Sequence, residues 1–345
     1  MAFTTINKST DYMNTKLYTG NGSTNTAQTG VGFQPDWTWI KERSSTSSHI
    51  ITDAVRGANK SLSSNLSSGQ ATETQSLMSF DSDGFTVGSG GGVNENSQTY
   101  AAWNWKANGQ GSSNTDGSIN TTYTSVNTTS GFSISTWTGN STAGATIGHG
   151  LGVKPSLIII KNLGASSQWL TWFDSFANTE MVYLNLTNAK GTGQTYFNST
   201  TPTSSLITLG GGVDENRNTM VAYCFAEKQG YSKFGSYVGN GNVNGPFVYT
   251  GFKPAFIITR NITSAVNWGM FDNKRNPFNV VQNVLLPDNS AAETATSAKY
   301  FDFLSNGFKV KNDNVQYNGN GNTHIYIAFA EAPLVGTNNV PATAR

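Results

Sequence analysis

The sequence predicts an all-β protein made of tandem β-sandwich or jelly-roll-like modules, with three repeats of about 100 residues. Three observations lead to this prediction. The stretch YTGNGSTNTAQTGVGFQPDWTWIK at residues 18–41 returns in altered form at residues 137–161 and 237–260. Apolar runs of about six residues are separated by Gly- and Asn-rich turns at spacings of roughly 8 to 12 residues. Hardly any window of the sequence has helical periodicity.

The repeat is defined by its spacing. From the leading aromatic residue to the glycine before the Phe/Val-x-Pro step, the separation is 14, 15 and 14 residues (18 to 32, 137 to 152, 237 to 251). Because this separation is nearly the same in all three copies, it indicates one structural unit used three times. Glycine and proline persist where the chain must turn, while the polar positions between them vary. The structural repeat positions of this entry turn are Gly32, Pro35, Gly152, Pro155, Gly251 and Pro254.

The first third of the chain is predicted to form module 1, at residues 17–107. Residues 1–16 precede it and are either a docking arm or the first strand of this module. The apolar runs of module 1 predict strands at residues 36–41, 49–53 and 99–106, and a hairpin at residues 76–87 that turns at Asp83-Gly84.

The remaining chain divides in the same way. Residues 108–118 are almost devoid of apolar side chains and predict a linker. Module 2 spans residues 119–230, where GGGVDEN at 210–216 aligns with GGGVNEN at 90–96 at an offset of 120 (96 to 216). Module 3 spans residues 231–333 and carries NDNVQYNGNGN in place of the glycine run. Residues 334–345 form a C-terminal tail, expected to be extended or mobile.

Composition limits the classes of partner. Charged residues make up 12% of the chain, against roughly 25% in average globular proteins. The net charge is +1 without a basic block, so neither nucleic acid nor a membrane surface is expected as a partner. The single cysteine, Cys224, excludes an intramolecular disulfide and is expected to be a buried thiol. The N-terminal residues show no secretory signal pattern, which favours assembly in a cytoplasm.

One carboxylate recurs in every module. Asp53, Asp174 and Asp272 lie 18 or 19 residues beyond the repeat proline (35 to 53, 155 to 174, 254 to 272). A general acid is one interpretation, but no second carboxylate recurs with it, as glycoside hydrolysis would require. Arg56 and Arg275 follow by three residues, so a turn cap or an Asp–Arg pair is the plainer interpretation. We therefore assign no catalytic residue.

No cofactor or metal site is expected. His49, His149 and His324 occupy non-equivalent positions and lack ligand spacing, so they are interpreted as surface or packing residues. The DSDG sequence at 81–84 lacks the rest of a calcium loop. The glycine runs at 90–92 and 210–212 lack both a following Lys-Ser/Thr and a helix, so they are expected to link hairpins rather than bind phosphate.

Aromatic residues leave one binding function open. Exposed Trp or Tyr beside Asn and Asp can stack on a sugar ring while the amides bind its hydroxyls. Core packing explains these aromatic residues equally well.

Several motifs resemble one known family. They are MAFTTI, YTGNG, GVGFQPDWTWIK, AVRGANKSLSSN, SFDSDGFTVGS and TYAAWNWKANG in the first copy, and FSISTWTGN, GHGLGVKPSLIIIKN and GGGVDEN in the second. Together they resemble a repeat family of structural proteins of marine tailed bacteriophages, whose members are virion, head-decoration or tail-fibre components. Module 3 matches the pattern more loosely. The family has no catalytic residues to carry over.

The resemblance implies a function without chemistry. We expect a structural protein on the outer virion surface, of head-decoration or knob type, assembled in the host bacterial cytoplasm. Its expected partners are other virion proteins of the capsid or tail, in a homo-oligomer. The alternative is a tail-fibre or receptor-binding protein that recognises a host surface glycan. A glycan-depolymerising enzyme is disfavoured because no carboxylate pair recurs.

Overall fold

The computed structural model describes residues 4–193, 195–295 and 301–335 and confirms the all-β prediction. Its sheets are formed by antiparallel strand pairs. Module 1 contains β1 (Met13–Thr19), β2 (Thr26–Thr29), β3 (Trp37–Glu42), β4 (Ile50–Asp53), β5 (Lys60–Ser61), β6 (Ala71–Thr72), β7 (Leu77–Asp81), β8 (Gly84–Val87), the helix α1 (Gly91–Asn94) and β9 (Thr99–Trp105). A 3-10 turn at Ser9–Asp11 precedes β1.

The other two modules follow the same order of elements. Module 2 contains β10 (Tyr123–Asn127), β11 (Phe132–Thr138), β12 (Thr146–Gly148), β13 (Leu157–Asn162), β14 (Leu170–Phe173), β15 (Val182–Tyr183), a 3-10 turn (Tyr196–Ser199), β16 (Leu206–Thr208) and β17 (Thr219–Phe225). Module 3 contains β18 (Ser232–Val238), β19 (Phe247–Tyr249), β20 (Phe252–Asn261), β21 (Gly269–Asp272), β22 (Asn283–Val284), β23 (Thr294–Ala295), β24 (Phe301–Leu304), β25 (Gly307–Val310), α2 (Val315–Asn318) and β26 (Thr323–Pro333).

Each module pairs a large sheet with a small one. The large sheets have the strand orders β1-β9-β3-β4, β11-β17-β13-β14 and β18-β26-β20-β21, and in module 2 the edge strands β10 and β15 extend the sheet. The small sheets have the orders β2-β8-β7, β12-β16 and β19-β25-β24. The shared order shows that the repeated sequence pattern folds into a repeated topology.

The two faces of each large sheet serve different cores. Because side chains alternate along a strand, Trp37 and Trp39 of β3 lie on one face and Ile40 lies on the other. Ile40 packs with Tyr100 and Phe85 between the large and small sheets of module 1. Trp37 and Trp39 instead belong to a cluster with residues from all three modules, which we call the central core.

Aromatic rings fill the central core. Trp37 of module 1 stacks on Tyr223 of module 2 with ring centroids 4.8 Å apart. Trp105 of module 1 contacts Phe329 of module 3 at 5.6 Å, and Phe329 contacts Phe225 of module 2 at 5.8 Å. The gap between these side chains is only about 10 Å³, so the three large sheets pack face to face as tightly as the core of one domain.

The segment before module 1 forms part of a strand and contacts module 3. Its last residues enter β1, the edge strand of the large sheet. Ile6 is buried in the central core, and Tyr12 meets the ring of Tyr231 of module 3 at 6.0 Å. The N-terminal segment thus joins module 1 to module 3. Residues 1–3, and the C-terminal tail from residue 336, lie outside the described residues.

The segment predicted as a linker, residues 108–118, lies along module 2. The backbone N–H of Asn108 donates to Ser125 Oγ at 2.9 Å. The carboxylate of Asp36 in module 1 accepts the backbone N–H of Gly109 at 3.0 Å. Side chains of both modules therefore hold the start of this segment.

The first glycine run differs from the prediction in one respect. Both runs were expected to link hairpins without a helix, but α1 begins directly after Gly90, and α2 forms at the same place in module 3 although the glycines are replaced. The run at 210–212 contains no helix, as expected. A helix of four residues is too short to show a hydrophobic period. In the part of the chain that the structure describes, no helix is long and apolar enough to cross a membrane.

Candidate functional site

The repeat glycines are explained by backbone conformation. Gly32, Gly152 and Gly251 have φ angles of +92°, +72° and +81°, in the left-handed region that favours glycine. Pro35 and Pro155 lie two residues before the large-sheet strands β3 and β13, whereas Pro254 lies inside β20 at a shift of register. A proline inside a strand is tolerated at such an irregularity because the strand pairing is already interrupted there.

A buried asparagine fastens the entry turn of each module. Asn94, Asn216 and Asn318 are completely buried. Each side-chain oxygen accepts the backbone N–H of the Asn in the entry-turn Gly-Asn pair, at 3.0, 3.2 and 2.8 Å. Each side-chain N–H donates to the carbonyl two residues further on, at 2.7, 2.9 and 2.8 Å. We call this contact the asparagine latch.

The latch corrects the sequence alignment of modules 1 and 2. The constant offset of 120 placed Asn216 opposite Asn96. By its hydrogen bonds, Asn216 instead corresponds to Asn94. The latch lies five residues before β9 in module 1 (94 to 99) and three residues before β17 in module 2 (216 to 219). Sequence analysis missed the latch because this difference in length hides it, although an Asn near the closing strand recurs in all three modules.

A ring N–H of each module binds a backbone carbonyl of another module. His49, Trp169 and Trp268 each lie directly before the strand β4, β14 or β21. Their ring nitrogens lie 2.9, 3.0 and 3.1 Å from the accepting oxygens. Those carbonyls belong in turn to Leu286 of module 3, Ser63 of module 1 and Tyr183 of module 2. The contacts therefore run around a closed ring of three modules.

The proton position on His49 follows from its neighbours. Trp39 Nε1 donates to His49 Nδ1 at 2.8 Å, so the proton of a neutral imidazole lies on Nε2 and is donated to Leu286. Burial, reinforced by the charge of Lys41, lowers the pKa of His49 to about 3. The ring is thus held neutral, and His49 is a packing residue equivalent to Trp169 and Trp268.

Buried cations strengthen two of the three junctions. Lys161 Nζ of module 2 donates to the carbonyl of Ser67 in module 1 at 2.8 Å. Arg260 of module 3 donates to the carbonyl of Leu186 in module 2 at 2.6 Å. Burial lowers the pKa of Lys161 to about 8 and that of Arg260 to about 10.

The third junction uses an ion pair. Arg43 Nη2 of module 1 lies 2.8 Å from Glu293 Oε1 of module 3. The second oxygen of Glu293 accepts from Arg275 at 2.9 Å. All three junctions between modules therefore combine a charged group with backbone or side-chain hydrogen bonds.

Two of the repeat aspartates are also part of the junctions. Asp53 pairs with Arg56, and Asp272 pairs with Arg275, with all four side chains almost completely buried. The hydroxyl of Tyr223 in module 2 donates to Asp53 at 2.7 Å. In the same way, Nε1 of Trp103 in module 1 donates to Asp272 at 3.1 Å. Burial of these carboxylates supports the structural interpretation over a general acid, because no substrate can reach them.

Asp174 lies one residue beyond the structural position of the other two aspartates. In the strand pairing, Phe173 faces Leu157 as Asp53 faces Trp37 and Asp272 faces Phe256. The side chain of Asp174 is 40% exposed and pairs with Lys154. Counted from the strand pairing, Phe176 stands where the arginines are, and in module 3 the aliphatic Ile327 occupies the strand position of Trp103 and Tyr223. In module 2 the buried rings of Phe173 and Phe176, with centroids 5.4 Å apart, therefore replace the buried ion pair.

One further carboxylate has a strongly shifted pKa. Burial, with the neighbouring Asp214 charge, raises the pKa of Glu215 to about 8. Its oxygens accept the backbone N–H groups of Phe197 and Gly210 at 2.5 and 2.7 Å, and it is 1% exposed. Glu215 therefore serves the packing of module 2. Within residues 4–193, 195–295 and 301–335, no three or more His, Cys, Asp or Glu side chains group so that they could hold a metal ion.

The other two histidines and the single cysteine are also buried. His149 accepts the N–H of Leu151 at 3.2 Å, and His324 stacks on Tyr237 with centroids 4.9 Å apart. Burial lowers the pKa of both histidines. Cys224 is buried as predicted, and burial raises its pKa to about 12.

The exposed fraction of each aromatic side chain separates core residues from candidates for ligand binding. All eight tryptophans are buried, with at most 3% of the surface exposed, so core packing rather than sugar contact is confirmed for them. The exposed aromatic side chains of the described residues are Phe247, Tyr249 and Phe278, at 46%, 52% and 76%. All three belong to module 3, which therefore carries the aromatic binding candidates.

Two clefts adjoin these exposed rings. The first, of about 360 Å³, is lined by Tyr249 together with Glu227, Gln229, Ser232 and Lys233. The second, of about 420 Å³, lies between modules 1 and 3, and its lining includes Phe278, Asn14, Lys253, Lys274 and Glu331. Both have a size typical of small-ligand sites.

The fold and its junctions define an all-β protein whose three sandwich modules close around a common core. Within this class, the chain belongs to the DUF7483 family, described as a domain of unknown function, whose model matches residues 8–333. That single match covers all three modules. No curated protein and no solved structure matches the chain.

Proposed function

We propose that this protein is a non-enzymatic structural protein on the outer surface of a tailed bacteriophage virion, of head-decoration or knob type. The observation that carries the proposal is the closed ring of buried contacts between modules. The polar residues that recur are used to join modules or fasten their turns. Recurring polar residues used in this way make the protein rigid and do not form a reactive site.

Rigidity follows from the nature of the junctions. Breaking one would expose central-core rings and leave buried groups such as Lys161 and Arg260 without partners. An unpaired buried polar group costs about 1–3 kcal/mol, and a charged one costs more. The modules therefore move as one body, which suits a part that must survive outside a cell without disulfides.

The virion context comes from the sequence resemblance to structural proteins of marine tailed bacteriophages. The proposed partners are other capsid or tail proteins, in a homo-oligomer on the virion surface. No nucleic acid or membrane partner is proposed, because the net charge is +1.

Immunogold labelling of intact virions tests the location. We expect gold over the head, with pre-immune serum as the control. Gold confined to the tail tip would contradict the decoration role and support an attachment role. Turnover of a host polysaccharide that is abolished in Asp174→Asn would overturn the non-enzymatic assignment, because Asp174 is the exposed member of the repeat aspartates.

A second candidate is a tail-fibre or receptor-binding protein that recognises a host surface glycan. The concentration of exposed aromatic side chains in module 3 favours it. Modules 1 and 2 share the fold and lack such rings, so the fold itself does not require them.

A further inference from the structure

The edge strand β19 presents two aromatic rings to solvent. Phe247 and Tyr249 are about half exposed, while Val248 between them is buried. Their spacing of two residues places both rings on the outer face of the small sheet, roughly 7 Å apart along the strand. β19 is at the edge of the sheet β19-β25-β24, so the surface formed by the two rings is open on one side.

The corresponding strands of the other modules show that the rings are not needed for folding. Val248 pairs with Phe308, as Gln28 pairs with Phe85 in module 1 and Ile147 with Ile207 in module 2. This register aligns Phe247 and Tyr249 with small or polar residues in the other two modules, which are Ala27, Thr29, Thr146 and Gly148. The equivalent strands form without aromatic rings at these positions, so Phe247 and Tyr249 are candidates for a binding function.

Tyr249 also forms a wall of the cleft of about 360 Å³ beside β19. The cleft lies where the hairpin between β17 and β18 joins module 2 to module 3. Gln229 and Glu227 in this hairpin are exposed. One oxygen of Glu227 accepts the N–H of Phe234 at 2.8 Å, which fixes the carboxylate at the cleft. Lys233 forms none of the ion pairs found among the described residues.

The lining of this cleft selects a class of ligand. The charged lining residues are one carboxylate, Glu227, and one ammonium group, Lys233, so their formal charges cancel. Amide, hydroxyl, carboxylate and ammonium groups together can donate to and accept from several hydroxyls. An aromatic ring covers the CH groups of a sugar face. An uncharged molecule with many hydroxyls and an apolar face satisfies all of these features.

We propose that the Tyr249 cleft is a binding site for a neutral saccharide. Tyr249 stacks on the face of one sugar unit, while Glu227, Gln229 and Lys233 hydrogen-bond to its hydroxyls. Phe247 contacts a neighbouring unit of the chain. This proposal rests on the second candidate function, since it names the site and ligand class through which the protein would recognise a host glycan.

Calorimetric titration of the full chain tests the site. The probes are neutral hexasaccharides of glucose, galactose and mannose, compared with a sulfated hexasaccharide and a single-stranded oligothymidine. We expect at least one neutral probe to bind. Tyr249→Thr and Phe247→Ala, which introduce the residues of module 1, should each weaken that binding, with Tyr249→Thr costing about tenfold or more in Kd.

Two further variants sharpen the test. Phe278→Ala removes a more exposed ring outside the cleft and should leave the Kd unchanged. Glu227→Gln keeps the size and the acceptor for Phe234 and should weaken binding several-fold. Circular dichroism spectra and unfolding midpoints must match those of the unaltered protein, so that a loss of affinity reports on the site.

The proposal is overturned if no neutral probe binds at millimolar concentration, if binding survives Tyr249→Thr, or if only the sulfated or nucleic acid probe depends on Tyr249. This outcome is separable from the location on the virion. Saccharide binding with gold over the head upholds the site and rejects the tail role. Gold on the tail without saccharide binding rejects the site alone.

Discussion

At the residue scale, the asparagine latch shows how a small polar side chain can determine the path of a turn. Asn94 has no exposed surface. Its side-chain oxygen accepts a hydrogen bond from the entry turn, and its side-chain N–H groups donate to the entry turn and to the carbonyl of Gly88. The same geometry recurs around Asn216 and Asn318. Such a side chain contributes more through the groups it satisfies than through its volume.

Replacing the latch is therefore expected to be costly. Asn94→Ala should lower the free energy of unfolding by about 2–4 kcal/mol, because it leaves a buried N–H and buried carbonyls without partners. Urea denaturation of the variant measures the loss. Asn96→Ala, at the exposed position two residues away, is the matched control and should change stability by less than about 0.5 kcal/mol. Equal losses in the two variants would contradict the assignment of Asn94 as the latch.

His49 predicts a specific pH dependence. Its pKa is about 3 in the folded protein and roughly 6.5 when unfolded, so the unfolded state binds the extra proton between these values. The stability contribution of neutral His49 is therefore complete above about pH 6.5 and is lost as pH falls towards 3.

His49→Gln tests this sign. A glutamine can accept from Trp39 and donate to Leu286 without titrating. Between pH 6 and pH 4, the unfolding free energy of the variant should fall less steeply than that of the unaltered protein, by about 1.4 kcal/mol per pH unit. His149 and His324 are unchanged in both proteins, so their titration cancels in the difference. Parallel pH profiles would contradict the lowered pKa of His49 in the folded protein.

At the element scale, the turn after β4, β14 and β21 is packed in two different ways. In modules 1 and 3 the aspartate is buried with an arginine and accepts a hydrogen bond from another module. In module 2 Phe173 takes this position, and Asp174 lies one residue further on, at the surface with Lys154. The sequence signal for this difference is the spacing of 19 rather than 18 residues from the repeat proline to the aspartate (155 to 174). Ile327 also takes the strand position of the donors Trp103 and Tyr223.

The same substitution in two modules should have different effects. Asp53→Asn is expected to destabilise the protein by about 3–5 kcal/mol, because the buried Arg56 charge loses its counterion. Asp174→Asn should cost less than about 1 kcal/mol, because its ion pair is exposed to solvent. Thermal and urea unfolding of both variants provide the comparison. A loss of similar size at Asp174 would refute this account of the module 2 turn.

At the scale of the whole molecule, the central core makes three sequence repeats into one cooperative structure. Trp105 of module 1 contacts Phe256 and Phe329 of module 3, and Trp37 stacks on Tyr223 of module 2. No module can unfold without exposing the inner face of its neighbours. We expect a single unfolding transition followed equally by far-UV circular dichroism and by tryptophan fluorescence.

Trp105→Ala tests the coupling between modules. The cavity should cost about 3–5 kcal/mol and should speed amide hydrogen exchange in β13 and β20 as well as in β9, because all three strands share the core. Phe278→Ala, at an exposed ring, is the control and should leave exchange unchanged. Exchange that increases only within module 1 would show that the modules unfold separately.

Much of the local structure could be predicted from the sequence. The strands around Trp37 and Trp103, the hairpin at Asp83-Gly84 and the need for glycine at Gly32 all depend on neighbours within a few residues. The latch was missed because two residues are absent between Asn216 and the closing strand. The exposed aromatic residues could not be separated from the buried ones, because period-2 alternation distinguishes the two faces of a strand and does not show what covers each face.

The sequence by itself determined the all-β class, the repeated order of strands and the glycine conformations of each entry turn, because these depend on alternation and on local backbone energetics. Only the tertiary structure decided that the large sheets share one core, that His49 corresponds to two tryptophans, and that Phe247 and Tyr249 stand open to solvent. These features depend on contacts between residues far apart in the chain. Such contacts are set by how whole sheets pack, which no local pattern encodes.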